Sequence, residues 1–97
     1  MSGRVAVITG AGSGIGRETS LTFARKGDSV VVADIDEEKG LETVELIKQE
    51  GGDAVFAKTD VSKFEEVESL VNQAVEIYGT IDVMFNNAGI GTLGHIL

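Results

Sequence analysis

Glycine stands at every second position from Gly10 to Gly16 in the segment Thr9-Gly10-Ala11-Gly12-Ser13-Gly14-Ile15-Gly16. A turn of this composition lets main-chain atoms approach a bulky anion, because no Cβ atoms stand in the way. The segment follows the apolar run Val5–Thr9, as expected of a parallel strand covered on both faces. It leads into a helical pattern over residues 15–26, whose first turn would aim unpaired N–H groups and the positive end of its dipole at a phosphate. The spacing is T-G-x-x-x-G-x-G. The G-x-G-x-x-G template, anchored at Gly10, would need glycine where Ile15 stands. A P-loop is excluded more firmly, since Arg17 and Glu18 occupy the places of its lysine and hydroxyl residue.

Asp34 lies at the end of a second apolar run, residues 29–33, and 20 positions after Gly14. A carboxylate placed there can accept hydrogen bonds from both ribose hydroxyls of an adenosine. Together with a pyrophosphate-binding glycine turn this points to NAD. The same charge selects against NADP: a 2′-phosphate charge ~4 Å away is repelled by roughly 4 kcal/mol at an effective dielectric of about 20, an upper figure at a solvated mouth. That corresponds to a disadvantage of up to roughly a thousandfold. Ser13 agrees, because the glycine turn carries no basic residue to neutralise a phosphate. Ile35 follows Asp34 and is counted with it among the cofactor-binding residues.

These groups need a frame, and the pattern of the chain supplies one. Apolar runs alternate with helical periodicity, and glycine marks almost every junction, which is the rhythm of βαβ units. Ile15, Thr19 and Phe23 share one face of the first predicted helix, which Gly27 stops. Asp36 is a suitable N-cap for a second helix, with Leu41, Val44 and Ile47 as its buried stripe and Gly51-Gly52 as its end. Residues 54–57 form a short third strand. Ser62-Lys63-Phe64-Glu65 has capping-box spacing and opens a third helix, in which Phe64, Val67, Val71, Ala74 and Tyr78 recur at helical spacing until Gly79. Residues 81–85 form the fourth strand. Right-handed crossovers then give an α/β, Rossmann-like, doubly wound parallel sheet of strand order 3-2-1-4 with three helices, the amino-terminal half of the fold. Strands 1 and 4 become neighbours, and ligands bind where their carboxyl ends border the crevice.

The bulk numbers limit what can surround this frame. With 97 residues and 42% apolar composition the chain makes one domain, residues 1–97, with a modest core. Sixteen acidic against 8 basic residues give a net charge of −8, which repels nucleic acid and anionic membranes, and no basic patch overrides it. The leading apolar run is too short for a signal segment or a membrane span, so a cytoplasmic protein is expected. No cysteine is present, which excludes disulfides and thiolate metal sites.

Thr9-Gly10 to Gly16, Asp60-Val61 after the third strand, and Asn86-Asn87-Ala88-Gly89 after the fourth together resemble the short-chain dehydrogenase/reductase family of classical type. The resemblance covers nearly the whole chain. It implies that Asp60 hydrogen-bonds the adenine amino group, that the Val61 backbone meets the ring, and that Asn87, Ala88 and Gly89 line the adenosine ribose. Plainer readings keep Asp60 as a turn residue and Asn86 as sheet framework. With Gly10, Gly12, Ser13, Gly14, Ile15, Gly16, Asp34 and Ile35, these form the candidate NAD site.

The family's chemistry requires a serine and a Y-x-x-x-K pair, in which lysine lowers the tyrosine pKa for proton transfer while the nicotinamide carries hydride. The single tyrosine, Tyr78, is followed four residues later by Asp82. It therefore reads as a helix-end packing residue, and no catalytic residue is assigned. His95, the single histidine, reads as a solvated tail residue. Two readings stay open. One is the NAD-binding portion of an alcohol/ketone oxidoreductase, truncated before its catalytic half, with 3-oxoacyl-carrier, sugar and steroid substrates all possible. The other is a stand-alone dinucleotide-binding module without turnover. The strand over residues 81–85 would be an open apolar edge, so a homo-oligomer is expected.

Overall fold

The computed structural model describes residues 3–87. Four parallel strands, β1 (Val5–Thr9), β2 (Ser29–Asp34), β3 (Asp53–Lys58) and β4 (Val83–Asn86), alternate with helices α1 (Gly14–Arg25), α2 (Glu37–Gln49) and α3 (Phe64–Tyr78). The sheet order is β3-β2-β1-β4, as the crossover rules require. Thr9 lies level with Ala33 on one side and Asn86 on the other, so the glycine turn, the end of β2 and the Asn-Asn segment emerge on one edge.

All five residues of β1 are buried. Ala6, Ile8, Val30, Val32 and Ala54 face Leu21 of α1 and Val44 and Ile47 of α2. Val7, Val31, Ala33 and Ala57 face Leu70 and Ala74 of α3. Two-sided cover of this kind explains why the strands read as continuous apolar runs. At the amino-terminal edge, Asp82 clamps the start of β1: its carboxylate accepts the Val5 amide at 2.8 Å and its amide donates to the Val5 carbonyl at 2.8 Å. Arg4 pairs there with the buried Asp28 at 3.1 Å.

The helix faces differ from the periodicity in instructive ways. The buried residues of α1 are Gly16, Ser20 and Leu21, whereas Ile15 is 68% exposed. The small side chains bring the helix against the turn that precedes it, and Ser20 Oγ donates to the Gly16 carbonyl at 2.9 Å. In α2, Val44 and Ile47 are buried as expected but Leu41 is exposed; Gly40 and Thr43 take the inner positions, with Gly40 so close to the Phe56 ring that no methyl group would fit. In α3, Leu70 and Ala74 are buried while Phe64 is 76% exposed.

Asp36 caps α2 by accepting the Lys39 amide at 3.2 Å. The capping box at Ser62 does not form. Because α3 begins one residue later than that box requires, Ser62 lies outside the helix, where it donates its hydroxyl and its amide to Asp60 Oδ1 at 2.6 and 3.0 Å. Lys63 takes the cap position without a side-chain bond. The strands also run slightly differently from their expected bounds: β2 and β3 extend to Asp34 and Lys58, and β4 begins two residues later than expected.

Candidate dinucleotide site

β1 ends in Thr9, the chain turns through the glycines, and α1 begins at Gly14. Two of these glycines are required by close approach. A Cβ on Gly16 would overlap the Gly10 carbonyl oxygen, and one on Gly12 would lie 2.8 Å from Asp34 Oδ2 and 2.9 Å from Lys39 Cβ. The turn is therefore packed against both its own start and the end of β2.

The first turn of α1 has neither an acidic residue nor a side-chain cap, although Ser13 stands at the N-cap in extended conformation. By contrast, α2 and α3 carry Glu37 and Glu38, and Glu65 and Glu66, in their first turns. Alone among the three helices, α1 leaves the positive end of its dipole uncompensated, with amides free of intrahelical partners. This is what an anionic ligand at the turn requires.

Asp34 is tied to that turn. Its Oδ2 accepts the Gly12 amide at 2.7 Å and its Oδ1 accepts the Asp36 amide at 2.8 Å. A carboxylate has about four lone-pair sites, so two remain for a ligand's hydroxyl donors. The half-buried carboxylate is thus held in one orientation by backbone on both sides.

The third segment joins through Thr9. Its hydroxyl donates to Asn86 Oδ1 at 2.9 Å and accepts the Asn87 amide at 2.9 Å, and Asn87 Nδ2 donates to the Gly10 carbonyl at 3.4 Å. Asn86 therefore serves the junction between β1 and β4, while Asn87 touches the glycine turn. Ala88, Gly89 and His95 lie outside the described residues.

Beyond β2 an open groove of about 670 Å³ is lined by Ile35, Lys58, Asp60, Lys63, Glu66 and Ser69. Ile35 is 59% exposed beside it, an apolar side chain facing solvent at the margin of the site. The hydroxyl and amide of Ser62 hold the Asp60 carboxyl below its ordinary range, so it is ionised at neutral pH. Glu66 Oε1 accepts the Asp60 amide at 2.8 Å, which fixes the turn from the other side. Val61 is half-buried next to it.

Two further residues, Thr43 and Arg17, hold the glycine turn without any motif in the sequence to mark them. Thr43 Oγ1 donates to the Ala11 carbonyl at 2.9 Å, tying the glycine turn to α2. Arg17 Nε donates to Thr43 Oγ1 at 2.9 Å, and its NH2 group pairs with Glu42 at 2.7 Å. No spacing rule announces such a link, because it joins the middle of one helix to the start of another.

Comparison with known proteins places this arrangement. The short chain dehydrogenase family matches residues 4–97. An uncharacterised oxidoreductase of Thermotoga maritima is 51% identical over 94 residues, covering 97% of this chain and 37% of that protein. The 7alpha-hydroxysteroid dehydrogenase of Escherichia coli K12 is 42% identical over 91 residues, covering 94% and 36%. The chain thus spans little more than a third of the length of these relatives. Among solved structures, a hydroxysteroid dehydrogenase from Escherichia coli superposes with a TM-score of 0.89 at 42% identity, over 91% of this chain and 37% of that one. A short chain dehydrogenase/reductase from Burkholderia phymatum in complex with NAD gives the same TM-score and identity over 93% and 32%. With its glycine turn, Asp34 and the Thr9–Asn87 junction on one edge of a 3-2-1-4 parallel sheet, this chain belongs to the short-chain dehydrogenase/reductase family, a family of oxidoreductases.

Proposed function

We propose that this chain is the cofactor-holding portion of an alcohol/ketone oxidoreductase, that it binds NAD, and that Asp34 is the ribose acceptor. The observation that carries the reading is the Asp34 carboxylate, pinned by the amides of Gly12 and Asp36 beside the uncompensated start of α1. Supporting it, the Burkholderia phymatum relative of the same fold was solved with NAD. In this reading Gly10, Gly12, Ser13, Gly14, Ile15 and Gly16 receive the pyrophosphate. Asp34 and Ile35 hold the adenosine ribose and its margin, Asp60 and Val61 meet the adenine, and Asn87, Ala88 and Gly89 close the ribose side.

When bound, the nicotinamide supplies hydride transfer. The residues of this chain bind and orient it: the turn amides hold negative charge, Asp34 takes two hydroxyl protons as hydrogen bonds, and β1 and β4 fix the distance between the two halves of the crevice. These 97 residues hold no Y-x-x-x-K pair for proton transfer, so the chain by itself should give no turnover. A cytoplasmic location and a homo-oligomeric state, both expected from the sequence, form part of the same proposal. Among the described residues no helix is long and apolar enough to cross a membrane.

Calorimetric titration of NAD and NADP into the wild type and Asp34→Ala tests the reading. Loss of a charge-assisted acceptor should weaken NAD by roughly ten- to a hundredfold and narrow its advantage over NADP. An unchanged preference would place Asp34 away from the ribose.

A further inference from the structure

The first turn of α2 carries a cation that the site described above leaves unused. The carboxylate of Asp34 and the base of the Lys39 side chain face each other across the gap that a methyl group on Gly12 would fill, 2.8 Å from one and 2.9 Å from the other. Lys39 is exposed, and among the described residues its ammonium belongs to none of the ion pairs. The neighbouring cation is already committed: Arg17 bonds Thr43 at 2.9 Å, the Lys39 carbonyl at 3.3 Å and Glu42 at 2.7 Å. Asp36 is committed too, its Oδ1 accepting the Lys39 amide that caps α2. An exposed lysine outside those ion pairs is therefore rooted beside the carboxylate that is meant to exclude a phosphate.

We propose that Lys39 is a specificity-determining residue of the cofactor site: its ammonium reaches the 2′ position of the adenosine ribose and offsets the repulsion between Asp34 and the 2′-phosphate, so that NADP is accepted as a second cofactor. The inference rests on Asp34 as the ribose acceptor. A lysine suits the task because its four-carbon stem is flexible and its head is a compact point charge. Attraction from Lys39 opposes repulsion from Asp34 at the phosphate, so the full Coulomb figure for Asp34 alone no longer sets the discrimination. NAD has no charge at that position, and its binding is governed by Asp34 and the turn. The discrimination expected from Asp34 alone is thereby reduced.

Calorimetric titration of NAD and NADP at low and moderate salt, with wild type, Lys39→Met, Lys39→Arg, Asp34→Asn and the Asp34→Asn/Lys39→Met double variant, tests this. Lys48→Met, at the far end of α2, is the control for overall charge. Lys39→Met should weaken NADP about five- to tenfold relative to NAD, Lys39→Arg should restore the ratio, and Lys48→Met should leave it unchanged. Asp34→Asn should gain NADP affinity, and the double variant should lose most of that gain, the more clearly at low salt. Equal NADP affinity with and without Lys39 in both Asp34 backgrounds would overturn the inference while NAD binding by the wild type kept the cofactor reading intact. Failure of the wild type to bind NAD would overturn both.

Discussion

Thr9 and Asn87, 78 positions apart in sequence, meet at one hydroxyl: Thr9 Oγ1 accepts the Asn87 amide at 2.9 Å while donating to Asn86 Oδ1 at 2.9 Å. Thr9 is buried, so replacing it by the isosteric valine leaves an amide donor and a carbonyl acceptor without this partner. Thr9→Val should cost about 1–3 kcal/mol of stability. Urea unfolding checks this, and an unchanged midpoint would mean that water or a neighbour replaces the hydroxyl without loss.

Gly16→Ala places a methyl group on the Gly10 carbonyl, 2.7 Å from its carbon and 3.0 Å from Ala11 Cα. Because both are backbone, the turn itself must shift, at about 1–3 kcal/mol, and NAD affinity should fall more than tenfold. Gly14→Ala is a useful contrast. It meets open space but must adopt φ +57°, so about 1–2 kcal/mol of backbone strain is expected without a clash. If both variants bind NAD like the wild type, the turn does not hold the pyrophosphate.

Tyr78 donates to Asp53 Oδ1 at 3.2 Å, and burial together with that carboxylate pushes its pKa from 10.0 to about 12. The folded state thus favours the neutral phenol. Its contribution to stability is complete below the unfolded value of 10.0 and is lost as pH rises through about 12. The chain has a single tyrosine and no tryptophan, so the phenolate absorbance rise reports this group alone. A titration midpoint near 10 would show that Tyr78 faces solvent. Between pH 10 and 12 the wild type should lose more stability than Tyr78→Phe.

Among the described residues β4 pairs with β1 alone, and Met84 and Phe85 are 43% and 37% exposed. The nearby charge, Asp82, is turned inward onto the Val5 amide and so does not guard the edge. The 97-residue chain, prepared by itself, should therefore form concentration-dependent dimers or larger species, and Phe85→Lys should reduce them at some cost in stability. Sedimentation over a wide concentration range decides the matter. A monomer throughout would mean that the edge is covered.

How much of this was legible in the sequence depended on what kind of side chain makes each contact. The strands and their order could be read because two-sided burial demands unbroken apolar runs and glycines punctuate the turns. Val44 and Ile47 of α2 could be read in the same way, but the inner positions filled by Gly16 and Ser20 of α1 and by Gly40 and Thr43 of α2 could not, because they pack closely by being small and leave no apolar periodicity to count. Ile15 and Leu41, which the periodicity selects, are exposed. Asp36 was found as a cap since nothing competes for it. Ser62 has the spacing of a cap but stands one residue before it, because α3 starts at Phe64 with Lys63 at its N-cap. Within the site, Gly12 and Asp34 carry their own spacing signal, whereas the Thr43 and Arg17 link to Ala11 exists only once α1 lies against α2.

The clamp of Asp82 on Val5 spans 77 positions, and every pair of the β1–β4 ladder beside it spans the same 77. Contacts of such separation raise contact order and close only after a long stretch of chain has been ordered, which slows folding. On a ribosome the central strand would emerge first, find β2 early, and wait for β4 with one flank unsatisfied. The glycine turn, which hangs from the end of that strand, would reach its final geometry at the same late moment. Dinucleotide that binds the finished turn should consequently favour the closed ladder at equilibrium.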